Sequence, residues 1–367
     1  MLKKNQGQDS KAILIFPAGM PKSLEFLERC QREGRAVIGS SSLAYDVSKE
    51  RYPSWVFLPY INDPGFDLAL KEVIDNQGIA GIYCPNPVAW SHINRELEKI
   101  DSEVRLVNDW PVNEELSSYR SAIALAQKAS ETPLEVASSL NKKPSISPLK
   151  LASLFRHANA IPGMCDNEKI RALCDIFRFA PRGDVVEIGC AWGKSAFVLA
   201  CLARIYGIGN TLCIDPWKAD FAVQRDEGGL VDSGIADYDL DEMATIYEMN
   251  LLPYAAGDVN YLRMPSTEAV LYYGEGCKVN SKSFGVTTYT GGIAVLHVDG
   301  NHSYDAAKAD VGAWSKYLVP GGWLIIDDYV WPFGDGPQRV ADIFLKENKQ
   351  RIVCCFVMGT ALFMQLY

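Results

Sequence analysis

The stretch VVEIGCAWGKSAF, Val185 to Phe197, decides the fold. It opens as an apolar strand, reaches an acid at Glu187, turns through Gly189 and Gly193, and runs on as a helix from Ser195. Glycines let the backbone approach a ligand closely, and open α/β sheets place ligands at the carboxyl ends of their strands. The spacing bears on which ligand. A dinucleotide fingerprint reads GxGxxG, whereas these glycines stand in an ExGxxxG pattern around Cys190. A turn that only joins strand to helix would use the same residues.

Downstream, Thr211 to Ile214, Ile293 to Val298 and Trp323 to Ile326 read as further buried strands, with helices fitting at Ser195 to Tyr206 and Asp305 to Leu318. The last two apolar runs, Arg351 to Val357 and Ala361 to Leu366, are separated only by Met358-Gly359-Thr360. That gap allows a hairpin but no helical crossover, so a parallel, Rossmann-like sheet should finish with an antiparallel strand. Upstream, the strands Ala12 to Phe16, Ala36 to Gly39, Trp55 to Leu58 and Gly81 to Cys84 alternate with helices at Ser23 to Glu33 and Phe66 to Gln77, which predicts a second, smaller parallel α/β unit. Its turn Pro17-Ala18-Gly19 fits either a plain strand-to-helix connection or a nucleotide or sugar phosphate. The expected division is residues 1–110 as the small α/β domain, 111–165 as a helical, irregular linker, and 166–367 as the larger domain. NKKPSISP, Asn141 to Pro148, is the clearest linker signal, because its prolines and serines do not sustain a helix.

A length of 367 residues suits two cores. A net charge of −9 argues against a broad nucleic-acid footprint and for a small or neutral substrate. No apolar run approaches the ~20 residues that cross a bilayer, and the polar start MLKKNQGQDSK lacks a signal peptide's apolar core, so the cytoplasm is the expected location. The ten cysteines include no CxxC pair and read as reduced packing residues.

The second strand ends in Cys213-Ile214-Asp215-Pro216-Trp217. An acid at that point can accept both hydroxyls of a ribose, so Asp215 is the expected adenosine anchor, and Trp217 could cover the cofactor. Met264-Pro265-Ser266-Thr267-Glu268 reads from its residues as an ordinary helix start with a hydroxyl cap. HVDGNHSYD, His297 to Asp305, and IIDDY, Ile325 to Tyr329, each begin where a strand ends. Asp299, Asp327 and Asp328 should therefore meet at one sheet edge, where three carboxylates either take up protons or share a hard divalent cation such as Mg2+. His297 lies inside an apolar strand and reads as a hydrogen-bonded core residue.

These motifs carry two resemblances. The ExGxxxG turn resembles motif I of class I S-adenosylmethionine (SAM)-dependent methyltransferases. That likeness implies Glu187, Gly189, Cys190, Gly193, Ser195, Asp215, Trp217, Ser266 and Asp299 around the cofactor. VDGNHSYD followed by PGGWLIIDDY resembles the metal-dependent O-methyltransferases of macrolide sugars, the macrocin and mycinamicin enzymes, over about residues 165–367. That resemblance implies a metal on Asp299, Asp327 and Asp328, His302 as general base beside Asp299, and an acceptor hydroxyl on a sugar or glycosylated small molecule, such as a secondary metabolite or a surface-glycan precursor. Related enzymes are commonly oligomeric, so a homo-oligomer is also implied. Catechol-type enzymes carry Asp-Asn where this chain has Asp327-Asp328, which disfavours a catechol. Residues 10–100 resemble the Rossmann-like domain that precedes ATP-grasp domains, implying a fold and no activity. Two long insertions, Lys218 to Gly257 and Gly274 to Gly292, are expected to shape the acceptor pocket. A SAM-binding assembly or regulatory module, or a nucleotide-dependent oxidoreductase, would share the glycine turn.

Overall fold

Strand and helix alternate through both halves of the chain in the computed structural model, which describes residues 11–99, 103–138, 140–224, 230–235 and 237–367. Contacts divide the chain into Met1–Ser118 and Tyr119–Tyr367. The first unit runs β1 (Ala12–Ile15), α1 (Pro21–Arg32), β2 (Val37–Ser41), β3 (Trp55–Phe57), α2 (Phe66–Gln77), β4 (Ile79–Tyr83), α3 (Pro87–Lys99) and β5 (Arg105–Leu106). Its strands pair in the order β3-β2-β1-β4-β5, all parallel. β1 is buried on both faces, which suits its uninterrupted apolar sequence AILI. The turn after β1 is closed by its own neighbours: Ser23 Oγ donates to Pro17 O at 2.6 Å and Tyr52 Oη to Ala18 O at 2.9 Å.

The segment 111–165 holds two helices, α4 (Pro111–Glu131) and α5 (Pro148–Ala160). Ala122, Ala126 and Ala129 of α4, with Leu151, Leu154, Phe155 and Ala158 of α5, are buried in the core of the second unit. Pro148 sits at the first position of α5, where a proline's missing N–H costs nothing. The segment is helical, as expected, and both helices pack into the larger core.

The second unit continues with α6 (Asn167–Ile176), β6 (Asp184–Ile188), α7 (Lys194–Tyr206), β7 (Thr211–Ile214), α8 (Ala219–Ala222), α9 (Leu230–Ile235), α10 (Leu240–Leu251), β8 (Val259–Leu262) and α11 (Ser266–Ala269). Then come β9 (Lys278–Ser281), β10 (Gly285–Thr288), β11 (Ile293–Val298), α12 (Tyr304–Trp314), β12 (Leu318–Ile326), α13 (Gly336–Glu347), β13 (Ile352–Met358) and β14 (Ala361–Leu366). Seven strands form one sheet in the order β13-β14-β12-β11-β6-β7-β8, with β14 antiparallel to both neighbours. This is the expected Rossmann-like sheet, its last strand reversed. The insertion Gly274 to Gly292 contributes the antiparallel pair β9–β10, which buried Asn260 pins to β8 by donating to Val279 O and Gly285 O. Order reverses between β6 and β11, so the carboxyl ends of these two strands form the crevice where such sheets bind ligands. No helix among the described residues is long and apolar enough to cross a membrane.

Candidate active site

The tip of β6 is a tight turn that only glycine fits. Gly189 has φ 81° and Gly193 φ 91°. A side chain at 189 would collide with the carbonyl oxygen of Asp299, and one at 193 would meet Leu251 Cδ2 of α10 at 2.6 Å. The glycine turn therefore lies directly against the DGNH loop on one side and the first insertion on the other. Among the described residues, three other than glycine also adopt positive φ, Ala191, Trp217 and Asp328, and all three lie at strand tips of this sheet. Such strained backbone concentrates at binding and reaction sites.

Asp215, at the tip of β7, accepts from the backbone N–H groups of Cys190 at 2.8 Å and Ala191 at 3.1 Å through one oxygen, and from Trp217 N at 2.8 Å through the other. A carboxylate offers about four acceptor positions, so these bonds leave room for about one further hydroxyl. Burial raises the Asp215 pKa, and the three N–H donors oppose that. Trp217 is buried, with its indole N–H donating to Ala191 O at 3.0 Å. Ser195 is buried in the first turn of α7, and Cys190 is buried under the glycine turn. The Ser266 hydroxyl is turned inward to Asp310, whose pKa burial raises to about 6. Its role as an adenine contact would therefore fall to its backbone or its neighbours.

The acid motifs converge as expected, and they converge on a cation that the sequence reading overlooked. Lys169, in the first turn of α6, is 1% exposed. Its ammonium donates to Asp327 Oδ2 and lies 3.7 Å from Asp299 Oδ2. The other Asp327 oxygen accepts from Asp328 N at 2.9 Å and from Thr360 Oγ1 at 3.1 Å. Beyond Asp327, His297 Nε2 is 3.7 Å from Asp327 Oδ2, while His297 Nδ1 is 2.9 Å from Glu187 Oε1. Burial alone would lower the pKa of His297, but the carboxylates of Asp327 and Glu187 raise it to about 9. Burial would raise Asp327; the ammonium of Lys169 overrides it and holds that carboxyl well below the usual range. His297 is thus a core residue, as expected, but a charged link in a buried network.

On the other side, His302 Nε2 is 3.2 Å from Asp328 Oδ2 and 3.7 Å from Asp299 Oδ1. Trp331 packs edge-on against the imidazole, centroids 4.7 Å apart. Neither ring nitrogen has a well-formed hydrogen bond, although both are buried. Burial would lower the His302 pKa, but Asp299, Asp328 and Asp327 together raise it above 6.5. Asp299 itself is raised to about 7, first by burial and then by the charge of Asp327. Around Asp299 two sets of possible metal-ligand atoms meet, Asp299–His302–Asp328 and His297–Asp299–Asp327, each within 4.8 Å. Asn301 anchors the DGNH loop to the first insertion, donating to Phe221 O at 3.0 Å and Val223 O at 2.9 Å.

Residues 186–329 match the family described as a methyltransferase domain. Among solved structures, CalS11, a calicheamicin methyltransferase, is 15% identical over 71% of this chain and 94% of its own, with a TM-score of 0.41. The O-methyltransferase NovP is 15% identical over 54% of this chain and 80% of its own, TM-score 0.39. MycE, a methyltransferase of the mycinamycin biosynthetic pathway solved with Mg and SAH, is 14% identical over 50% of this chain and 45% of its own, TM-score 0.29. No curated protein matches. None of these matches supports the likeness of the first unit to a domain preceding ATP-grasp. With its sheet order, glycine turn and family match, the Tyr119–Tyr367 unit is a class I methyltransferase domain. That domain is accordingly of the SAM-dependent methyltransferase type.

Proposed function

We propose that the chain transfers the sulfonium methyl of SAM to a hydroxyl of a sugar or glycosylated small molecule, with His302 accepting the hydroxyl proton. The observation that carries this reading is the contact between the glycine turn at Gly189 and the Asp299 backbone, which makes the cofactor turn and the base loop one continuous surface. SAM supplies an electrophilic methyl that needs an in-line, activated oxygen; everything else falls to the chain. A sugar hydroxyl is a weak nucleophile at neutral pH, and a base within hydrogen-bond reach contributes about 10²–10⁴-fold. His302 stands ready for this role. Its nitrogens are free of hydrogen-bond partners, Asp328 and Asp299 stabilise the imidazolium that forms, and Trp331 fixes the ring plane. The buried ring nitrogens and two adjacent carboxylates also suit a divalent cation, which would lower the hydroxyl's pKa. Asp299 and Asp328 would hold it, since Mg2+ takes one or two carboxylates and fills its shell with water and substrate oxygens. His302 then remains available for the proton. The first insertion, tied down through Asn301, would wall the acceptor side.

Titration calorimetry with SAM, followed by incubation with isotopically labelled SAM, Mg2+ and a panel of nucleotide sugars and glycosides, tests the reading. Methylated product that His302→Ala fails to make, at unchanged SAM affinity, is the expected result. SAM binding without product from any hydroxyl acceptor would favour a regulatory module, and binding of NAD with no affinity for SAM would favour an oxidoreductase.

A further inference from the structure

The inner half of the acid cluster has the make-up of a metal site, filled by a side chain. His297 presents Nε2 toward Asp327, is fully buried, and has no hydrogen-bond partner on that nitrogen. Its other nitrogen is held by Glu187 at 2.9 Å. That arrangement, one imidazole nitrogen bonded to a carboxylate and the other free, is how proteins orient a histidine for a metal. Asp327 and Asp299 complete a three-residue set whose ligand atoms lie within 4.8 Å of one another. The ammonium of Lys169 sits on two of these carboxylates, against Asp327 and 3.7 Å from Asp299.

We propose that Lys169 is the resident cation of a latent metal site formed by His297, Asp299 and Asp327, and that it confines any divalent ion to the outer side at Asp299 and Asp328. The inference deepens the reading above and rests on it only in taking the outer side as the reaction site. An ammonium tethered to α6 neutralises Asp327 without leaving with product, and it holds that carboxylate as a rigid support for Asp328, the next residue along. Asp327 then acts as a positioning residue and supplies no ligand to the divalent ion.

Mn2+ binding, followed by the electron paramagnetic resonance signal of the free ion on the full chain without SAM or acceptor, tests this separately from turnover. In the wild type, Asp328→Asn should weaken Mn2+ at least tenfold while Asp327→Asn leaves it within about threefold. Lys169→Ala should gain one Mn2+ per chain, and the further change His297→Phe should remove that gain. Equal loss of Mn2+ in Asp327→Asn and Asp328→Asn would overturn the proposal, as would a folded Lys169→Ala that binds no more metal than the wild type. If Lys169→Ala does not fold, the comparison of the two asparagine variants decides. Because no methyl transfer is measured, a failure here is distinct from a failure of the proposed reaction, which the acceptor panel reads.

Discussion

Asp327 and Asp328 are adjacent in sequence and live in different surroundings. The Asp327 side chain is 4% exposed, its oxygens engaged by Lys169, Thr360 and a backbone N–H, with His297 and Glu187 behind it. The Asp328 side chain is 17% exposed, faces His302, and sits on a residue with φ 50°. That left-handed conformation turns the second carboxylate out of the strand and toward the loop that carries His302. A pair of acids at one strand end thus divides into a sealed, charge-compensated half and an accessible half. A carboxylate cluster need not imply an external ion of matching charge, because part of the compensation can be built into the chain.

The largest expected effect lies on the accessible side. His302→Ala should lower turnover by about 10²–10⁴-fold, with SAM affinity unchanged by calorimetry. An equal loss in SAM affinity would assign His302 to the cofactor. On the sealed side, Lys169→Met strands Asp327 and should cost about 3–5 kcal/mol of stability, whereas Lys169→Met with Asp327→Asn should recover most of it, since replacing both partners of a buried pair is often neutral. Urea unfolding of the two variants checks this, and a double variant as unstable as the single one would break the division into halves.

Smaller effects sharpen it. Asp215→Ala leaves two N–H groups of the glycine turn and that of Trp217 without their acceptor, at about 1–3 kcal/mol for each unsatisfied donor, so SAM affinity should fall by roughly tenfold or more. As the proposed base, His302 would work as neutral imidazole, and its folded pKa is raised from 6.5, so kcat/KM should rise with pH to a midpoint above 6.5. Asp328→Asn removes a charge that favours the imidazolium and should move that midpoint toward acid. His297 contributes stability that is complete below its unfolded pKa, ~6.5, and is lost as pH rises through about 9, its folded value. Unfolding free energies at pH 6 and pH 9.5 should therefore differ more for the wild type than for His297→Phe.

The sheet was readable because its strands are short apolar runs that end on glycine or acid, and the reversal at the end followed from a gap too short for a crossover. The clustering of Asp299, Asp327 and Asp328 followed from strand ends, while His302 entered only through the family resemblance. Lys169 did not, although a signal was present: it shares the buried stripe of α6 with Ala172, Leu173 and Ile176. A lysine at a position spaced for the core is explained only by a carboxylate from elsewhere, and that partner, Asp327, lies 158 residues away. The packing of the 111–165 helices into the larger core was hidden for another reason. Prolines at 144 and 148 were read as breaks, yet Pro148 is the start of α5. Asp215 stands at the tip of β7, as its place after an apolar run implied, but the three N–H groups that occupy it come from turns whose geometry no spacing reveals.

Unfolding free energy and methyl-transfer rate, measured together on Asp327→Asn and Asp328→Asn, test the division of the cluster most directly. Asparagine tolerates left-handed backbone, so the second change is mild for the fold. Asp327→Asn should lose about 3–5 kcal/mol of stability, while Asp328→Asn should stay within about 1 kcal/mol of the wild type and carry the greater loss of rate per folded molecule. Equal stabilities with the larger rate loss at Asp327 would contradict the account, making the buried acid the reactive one.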